Sequence, residues 1–133
     1  MKSGFDVLWF CRVYMRLQSD LPIPYGQLRV LYILCETPGP HTPMMLADVL
    51  RVSRPMVAAH INALLDGGYV TRVASPEDGR SVYILCTKKG RALIEKTNRG
   101  LLKINEKLSQ KMGAKKFETF CKLTNQASAI LSE

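Results

Sequence analysis

The sequence predicts a mainly α-helical fold with a small β-wing, and three observations lead to that class. Apolar residues recur at spacings of three and four along most of the chain, as on helices that bury one face. Two short runs rich in β-branched and aromatic residues flank SPEDGRS, residues 75–81, and read as strands joined by a turn. Capping residues stand at the joints: Thr42 before Pro43, Ser53 before Arg54, the pair Gly67-Gly68, and Thr87.

Over residues 5–19, Phe5, Leu8, Trp9, Val13 and Leu17 form a helical stripe that Pro22 and Pro24 interrupt. A second helix starts at Tyr25 and runs to Cys35 with Leu28, Leu31, Tyr32 and Leu34 on its apolar face, until TPGPH stops it. Thr42 caps a short third helix, and Pro43 takes its first position, where a missing N–H costs nothing. Leu46, Ala47, Val49 and Leu50 carry its apolar face. After a tight turn at Arg51-Val52, Ser53 caps a fourth helix with Pro55 in its first turn. It runs to about Asp66 with Val57, Ile61, Leu64 and Leu65 inward, and Gly67-Gly68 supply a left-handed residue at its end.

Residues 69–73 and 81–86 pair as a hairpin. Thr87 then caps a long helix whose stripe of Leu93, Leu101, Ile104, Leu108 and Met112 breaks at Gly113. A last helix carries Phe117, Phe120, Cys121, Thr124, Ala127 and Leu131 in a roughly 3-4 repeat, which leaves an apolar seam.

Composition narrows the partners. A chain of 133 residues with 47% hydrophobic and 23% charged residues suits one soluble domain, residues 1–133, with a core of its own. No apolar run approaches the roughly 18 to 20 residues of a membrane span, and the charged N-terminal segment reads as a helix of the mature protein, so a cytoplasmic location is expected. The net charge of +8 points to a polyanionic partner. Its excess is spread along the chain and forms no basic tail. Cys11, Cys35, Cys86 and Cys121 lie 24, 51 and 35 residues apart, with only His41 and His60 as companions, which is no zinc pattern. Reduced thiols, no metal and no cofactor are the expectation. No Ser-His-Asp set, no paired carboxylates and no phosphate-cradling glycine loop argue for an enzyme.

Helix, tight turn, helix and hairpin in that order over residues 42–91 make a winged helix-turn-helix, whose second helix is built to enter the DNA major groove. With its apolar stripe inward, that helix presents Arg54, Pro55, Ala58, Ala59 and Asn62. Arg54 suits guanine or phosphate. Pro55, Ala58 and Ala59 either touch thymine methyl groups or simply let the helix approach the backbone closely. His60 reads as a partly buried helix residue or as a base reader, and Met44 and Met45 as packed or solvent-facing.

The run TPMMLADVLRVSRPMVAAHINALLDGGYVTRVASPEDGRSVYILCTKKGRAL resembles the MarR family of transcription regulators. Leu46-Ala47, Ser53, Leu64, the glycine before Tyr69-Val70, Arg72, Asp78-Gly79-Arg80, Thr87 and Gly90 carry the likeness, and IPYGQLRVLYIL extends it to the family's second helix. The resemblance implies that Arg80 enters the minor groove from the wing tip, with Asp78 holding that arginine or bracing the wing. Thr42, Ser53 and Arg72 are further candidates for contact to double-stranded DNA, and Arg51 either meets a phosphate or is a solvated charge. Two departures stand out: Ala58 and Ala59 replace the longer polar residues common there, and Arg51 takes a turn position that is often glycine.

By the same resemblance, residues 5–35 and 92–131 supply N- and C-terminal dimerisation helices, and a homodimer binds a pseudopalindromic operator. Such regulators are usually repressors released by a small molecule or an oxidant. A small-molecule effector would sit near Trp9, Tyr14, Tyr25 and Tyr32, which otherwise read as core aromatics, and Cys11 invites comparison with relatives that sense peroxide through a first-helix cysteine, although its position departs from theirs. An activator of the same fold, or a winged helix that docks on a protein, are the alternatives that the sequence leaves open.

Overall fold

Among the described residues, 4–17 and 20–133, the computed structural model has six helices and one two-stranded antiparallel sheet. Their order is α1 (Phe5–Arg16), α2 (Tyr25–Glu36), α3 (Pro43–Leu50), α4 (Arg54–Asp66), β1 (Val70–Ala74), β2 (Val82–Cys86), α5 (Lys88–Met112) and α6 (Ala114–Leu131). Residues 18 and 19, the end of the span expected for the first helix, lie outside the described residues. The chain divides into two compact units, Met1–Thr97 and Asn98–Glu133, with the boundary inside α5.

The core of the first unit is where α2, α3, α4, the hairpin and the start of α5 meet. Leu31, Leu46, Leu64, Ile84 and Ile94 are fully enclosed there, and each such side chain contributes roughly 1.5 to 3 kcal/mol by leaving water. The face of α2 is turned slightly from the sequence expectation. Val30 is completely buried, whereas Tyr32 is 43% exposed. Val49 likewise points outward from α3 at 62% exposure, because Leu46, Ala47 and Leu50 already fill the inner side of this short helix.

Side-chain caps set the joints. Thr42 Oγ1 accepts from Met45 N–H at 3.2 Å and Ser53 Oγ from Met56 N–H at 3.2 Å, each satisfying a donor that the first helical turn leaves free. At the far end of α4 it is Gly68, at φ 76°, that takes the left-handed conformation, while Gly67 stays right-handed. Tyr69 N–H then bonds back to Leu64 O at 2.9 Å. The start of α5 completes this end: Thr87 Oγ1 accepts from Gly90 N–H and donates to Gly68 O at 2.7 Å, and Lys89 Nζ donates to Gly67 O at 2.7 Å. The glycine carbonyls just past α4 are thus met by residues at the start of α5.

The strands pair in the register Val70 with Cys86, Arg72 with Ile84 and Ala74 with Val82. Ile84 N–H also bonds to His41 O at 2.9 Å, which ties the segment leading into α3 to the hairpin. Cys35 and Cys86 are half-buried neighbours. Burial, and then the hydrogen bond with Cys86, push the Cys35 thiol up to about 12, so it stays protonated at neutral pH.

In the second unit, Gly113 at φ 96° ends α5 and opens α6. Phe117, Phe120 and Cys121 are half-buried, whereas Thr124, Ala127 and Leu131 of the expected seam are open to solvent. No helix among the described residues is long and apolar enough to cross a membrane.

Gly90 has no room for a side chain, since a Cβ there would collide with Tyr69 O and lie 2.8 Å from Cys86 Sγ. Gly90→Ala should therefore destabilise the protein by about 2 kcal/mol, read as a lower urea midpoint with unchanged slope.

Candidate nucleic-acid interface

Val57, Ile61 and Leu64 are buried at helical spacing, and this fixes what α4 presents. Arg54, Pro55, Ala58, Ala59 and Asn62 are all exposed. Met56 joins them at 50% exposure, a member of this face that sequence reasoning did not single out. Its signal was available, because it falls between Ser53 and Val57 on a turn whose inward position Val57 already takes. His60 is half-buried against α2: a Cβ on Gly26 would come within 2.8 Å of its ring, so the glycine makes its room. That favours the helix-packing role for His60.

Between the N-terminal ends of α3 and α4 and the wing lies an open cleft of roughly 570 Å³. Thr42, Arg54, Ala58 and Arg80 line it together, so four of the expected contact residues from three separate elements converge. Met44, Ser81 and Val82 line it as well. Met44 was detectable as a residue at the helix start that the core had no use for. Arg51, Asn62 and Arg72 are exposed but lie outside the cleft lining, and Ser53 and Thr42 spend an oxygen lone pair on their caps, which leaves each O–H free to donate to an anion.

The turn before α4 accounts for the departure at Arg51. Arg51 sits at φ 54°, ψ 45°, the left-handed region, and Val52 N–H reaches back to Ala47 O at 3.1 Å. This is the same closure that Gly68 gives α4, made here by a residue whose Cβ makes it costly. The backbone therefore keeps the turn that glycine would allow and gains a cation beside the recognition helix.

The wing tip is held by hydrogen bonds instead of a core. Asp78 Oδ1 accepts from Arg80 N–H at 3.0 Å and Oδ2 from Ser81 Oγ–H at 3.3 Å. Buried Ser75 accepts from Glu77 N–H and Asp78 N–H and donates to Tyr83 Oη at 3.3 Å. Of the two roles open to Asp78, the geometry selects bracing. Among the described residues the Arg80 guanidinium forms no ion pair, and it faces the cleft. Ser75 and Tyr83 were missed by sequence reasoning, which treated the turn as a local Asp-Gly-Arg feature.

The residues named for effector and oxidant sensing lie elsewhere. Trp9 is 63% exposed, Tyr25 and Tyr32 are open to solvent, and Tyr14 is half-buried with its ring 5.6 Å from that of Phe10. Tyr25 stands 6.0 Å from the Arg29 guanidinium, which also donates to Leu50 O at 3.4 Å. Cys11 is exposed on α1. No three His, Cys, Asp or Glu side chains among the described residues converge as a metal site.

An exposed helix on capped, tightly turned supports, with a basic hairpin tip at its N-terminal end, defines a winged helix-turn-helix protein. The model of the MarR family matches residues 19–81. The structure is similar to that of FabT from Streptococcus pneumoniae in complex with DNA, at TM-score 0.82 and 23% identity over 96% of this chain and 93% of that one. It is also similar to a transcriptional regulator of Thermotoga maritima, at TM-score 0.64 and 25% identity over 98% and 96%. The repressor CouR, bound to a 23-mer DNA duplex, matches at TM-score 0.72 and 24% identity over 90% and 89%. No curated protein matches the sequence significantly. Residues 19–81 thus match the MarR family, and the solved structures of similar fold include transcription regulators.

Two outcomes follow from this geometry. Arg51→Gly should raise stability by about 1 kcal/mol, seen as a higher thermal midpoint, because it removes the left-handed penalty on a Cβ. Asp78→Ala should leave global stability within about 0.5 kcal/mol but speed hydrogen exchange at the Arg80 amide, whose acceptor is lost.

Proposed function

We propose that the protein is a dimeric, sequence-specific DNA-binding regulator, and that it represses transcription from a pseudopalindromic operator. The observation that carries this reading is the cleft in which Arg54 and Arg80 flank the N-terminal end of an exposed helix. Guanidinium groups, two cap hydroxyls and the positive end of a helix dipole together suit phosphate and base edges. Two proteins of the same fold, FabT and CouR, have been seen with DNA, which supports the same partner here.

In this reading residues 42–91 are the DNA-binding lobe. Thr42, Arg51, Ser53 and Arg72 meet phosphates, Arg54, Pro55, Ala58, Ala59 and Asn62 face the major groove, and Arg80 enters the minor groove with Asp78 bracing it. Residues 5–35 and 92–131 form the dimerisation layer. Support for a second chain comes from α1, where Phe5, Leu8, Trp9 and Leu17 are all exposed and no residue is buried, a face that water disfavours. A twofold dimer spaces its recognition helices by about one DNA turn, roughly 34 to 36 Å. Release by a small molecule held near Trp9, Tyr14, Tyr25 and Tyr32, or by oxidation of Cys11, and a cytoplasmic location complete the proposal.

The test is selection of binding sites from a random duplex pool, with Arg80→Ala compared at the same salt concentration. A palindrome with half-sites one turn apart should be enriched, and the variant should bind it about tenfold more weakly, the order expected for a lost groove contact. An affinity that ignores both sequence and Arg80 would overturn the reading in favour of a protein-docking winged helix.

A further inference from the structure

Resting on that reading, we infer that the recognition helix identifies its operator chiefly through the 5-methyl groups of thymine. The face of α4 that turns away from the core consists of Pro55, Met56, Ala58 and Ala59, all exposed, with Arg54 at one edge and Asn62 one turn beyond. None of these four side chains can donate a hydrogen bond to a base, and only the Met56 thioether sulfur can accept one, weakly. Their backbone is equally silent, since Pro55 has no N–H, Met56 N–H is taken by Ser53 Oγ, and those of Ala58 and Ala59 lie within the helix. Base pairs opposite this face can therefore be told apart chiefly by shape and dispersion. The thymine methyl is the one apolar group that the major groove displays.

Close approach to the backbone, the other role open to small residues, would be served by alanine alone. Met56 contradicts it, being long and half-exposed on the same turn, and Met44 continues the apolar surface across the cleft from Ala58. Alanines bring the helix axis near, and methionine and proline cover the methyl groups that come within reach. Charge complementarity commits the face to a nucleic acid: Arg54 and Arg80 border the same cleft, and residues 42–91 carry 7 Lys and Arg against 4 acids. Asn62, suited to the N6 and N7 atoms of adenine, fits the same T·A pairs from the other strand. The operator half-site should then be rich in A·T beneath both the helix and the wing.

The experiment takes the duplex that site selection yields and replaces its thymines one at a time by uracil. This removes the methyl and leaves every base-pair hydrogen bond in place. At thymines under the recognition helix, affinity should fall about fourfold for each methyl contacted, the factor that burying one such group provides. At thymines beneath the wing it should not change, because the methyl projects into the major groove and Arg80 works in the minor. In Met56→Ala and Ala59→Gly proteins the thymine-to-uracil ratio at the contacted position should shrink towards one. The ratio is taken within one protein, so partial unfolding of a variant cancels. If uracil under the helix leaves affinity intact while the duplex is still bound selectively, the inference fails and the DNA-binding reading stands. If no duplex is bound selectively, the reading beneath it fails.

Discussion

The burial of Val57, Ile61 and Leu64 is the constraint on which the rest of this molecule depends. These three side chains hold α4 against the core formed by Leu31, Leu46 and Ile84, and in doing so they settle the rotation of the helix about its axis. A rotation by one residue, about 100°, would turn Ala58 inward and expose Val57. The chemistry of the outer face is therefore a by-product of packing on the inner one. Both ends of the helix are tied as well, by Ser53 at its start and, just past its end, by Thr87 and Lys89 on the carbonyls of Gly68 and Gly67.

The wing is stabilised by a different logic. Its strands are five residues each and β1 buries only Val70, so hydrophobic burial alone cannot define the tip. Ser75, Asp78, Ser81 and Tyr83 supply that definition through directional bonds, each modest in net stability but together restrictive in geometry. Because the Asp78 carboxylate is spent on the backbone N–H of Arg80, the arginine is aimed without being neutralised. An Asp78 to guanidinium ion pair would have quenched the charge that the proposed function needs.

Much of this was legible in the sequence, and the limits of legibility have physical causes. Thr42, Ser53, Thr87 and Gly113 were readable as helix boundaries because capping and left-handed backbone are local demands met by few residue types. The inward stripe of α4 was readable because its periodicity is clean. Tyr32 and Val49 were placed on inner faces that they do not occupy, since α2 and α3 offer more apolar residues than the core can take, and only tertiary packing chooses among them. The turn at Arg51 was legible as one that often holds glycine, but an arginine there suggested a somewhat different backbone, whereas the closure through Val52 keeps the left-handed φ of 54°. The Ser75 to Tyr83 bond joins residues on opposite sides of a turn whose register no local rule fixed.

The leftover apolar surface says something about how such a protein could work. The winged lobe is internally satisfied, with a filled core, whereas α1 and α6 bury no residue. Stability of the lobe and exposure of the flanking helices are thus separate properties of one chain. If a second copy covers those helices, as proposed, the distance between two recognition faces is set by an interface that shares no side chain with the face itself. Changes at that interface would then move rigid readers together or apart without unfolding them. A ligand that favours one spacing could alter DNA affinity by its preference between the two arrangements and by nothing else. In the proposed reading, that division would put specificity in α4 and the wing and control in the flanking helices.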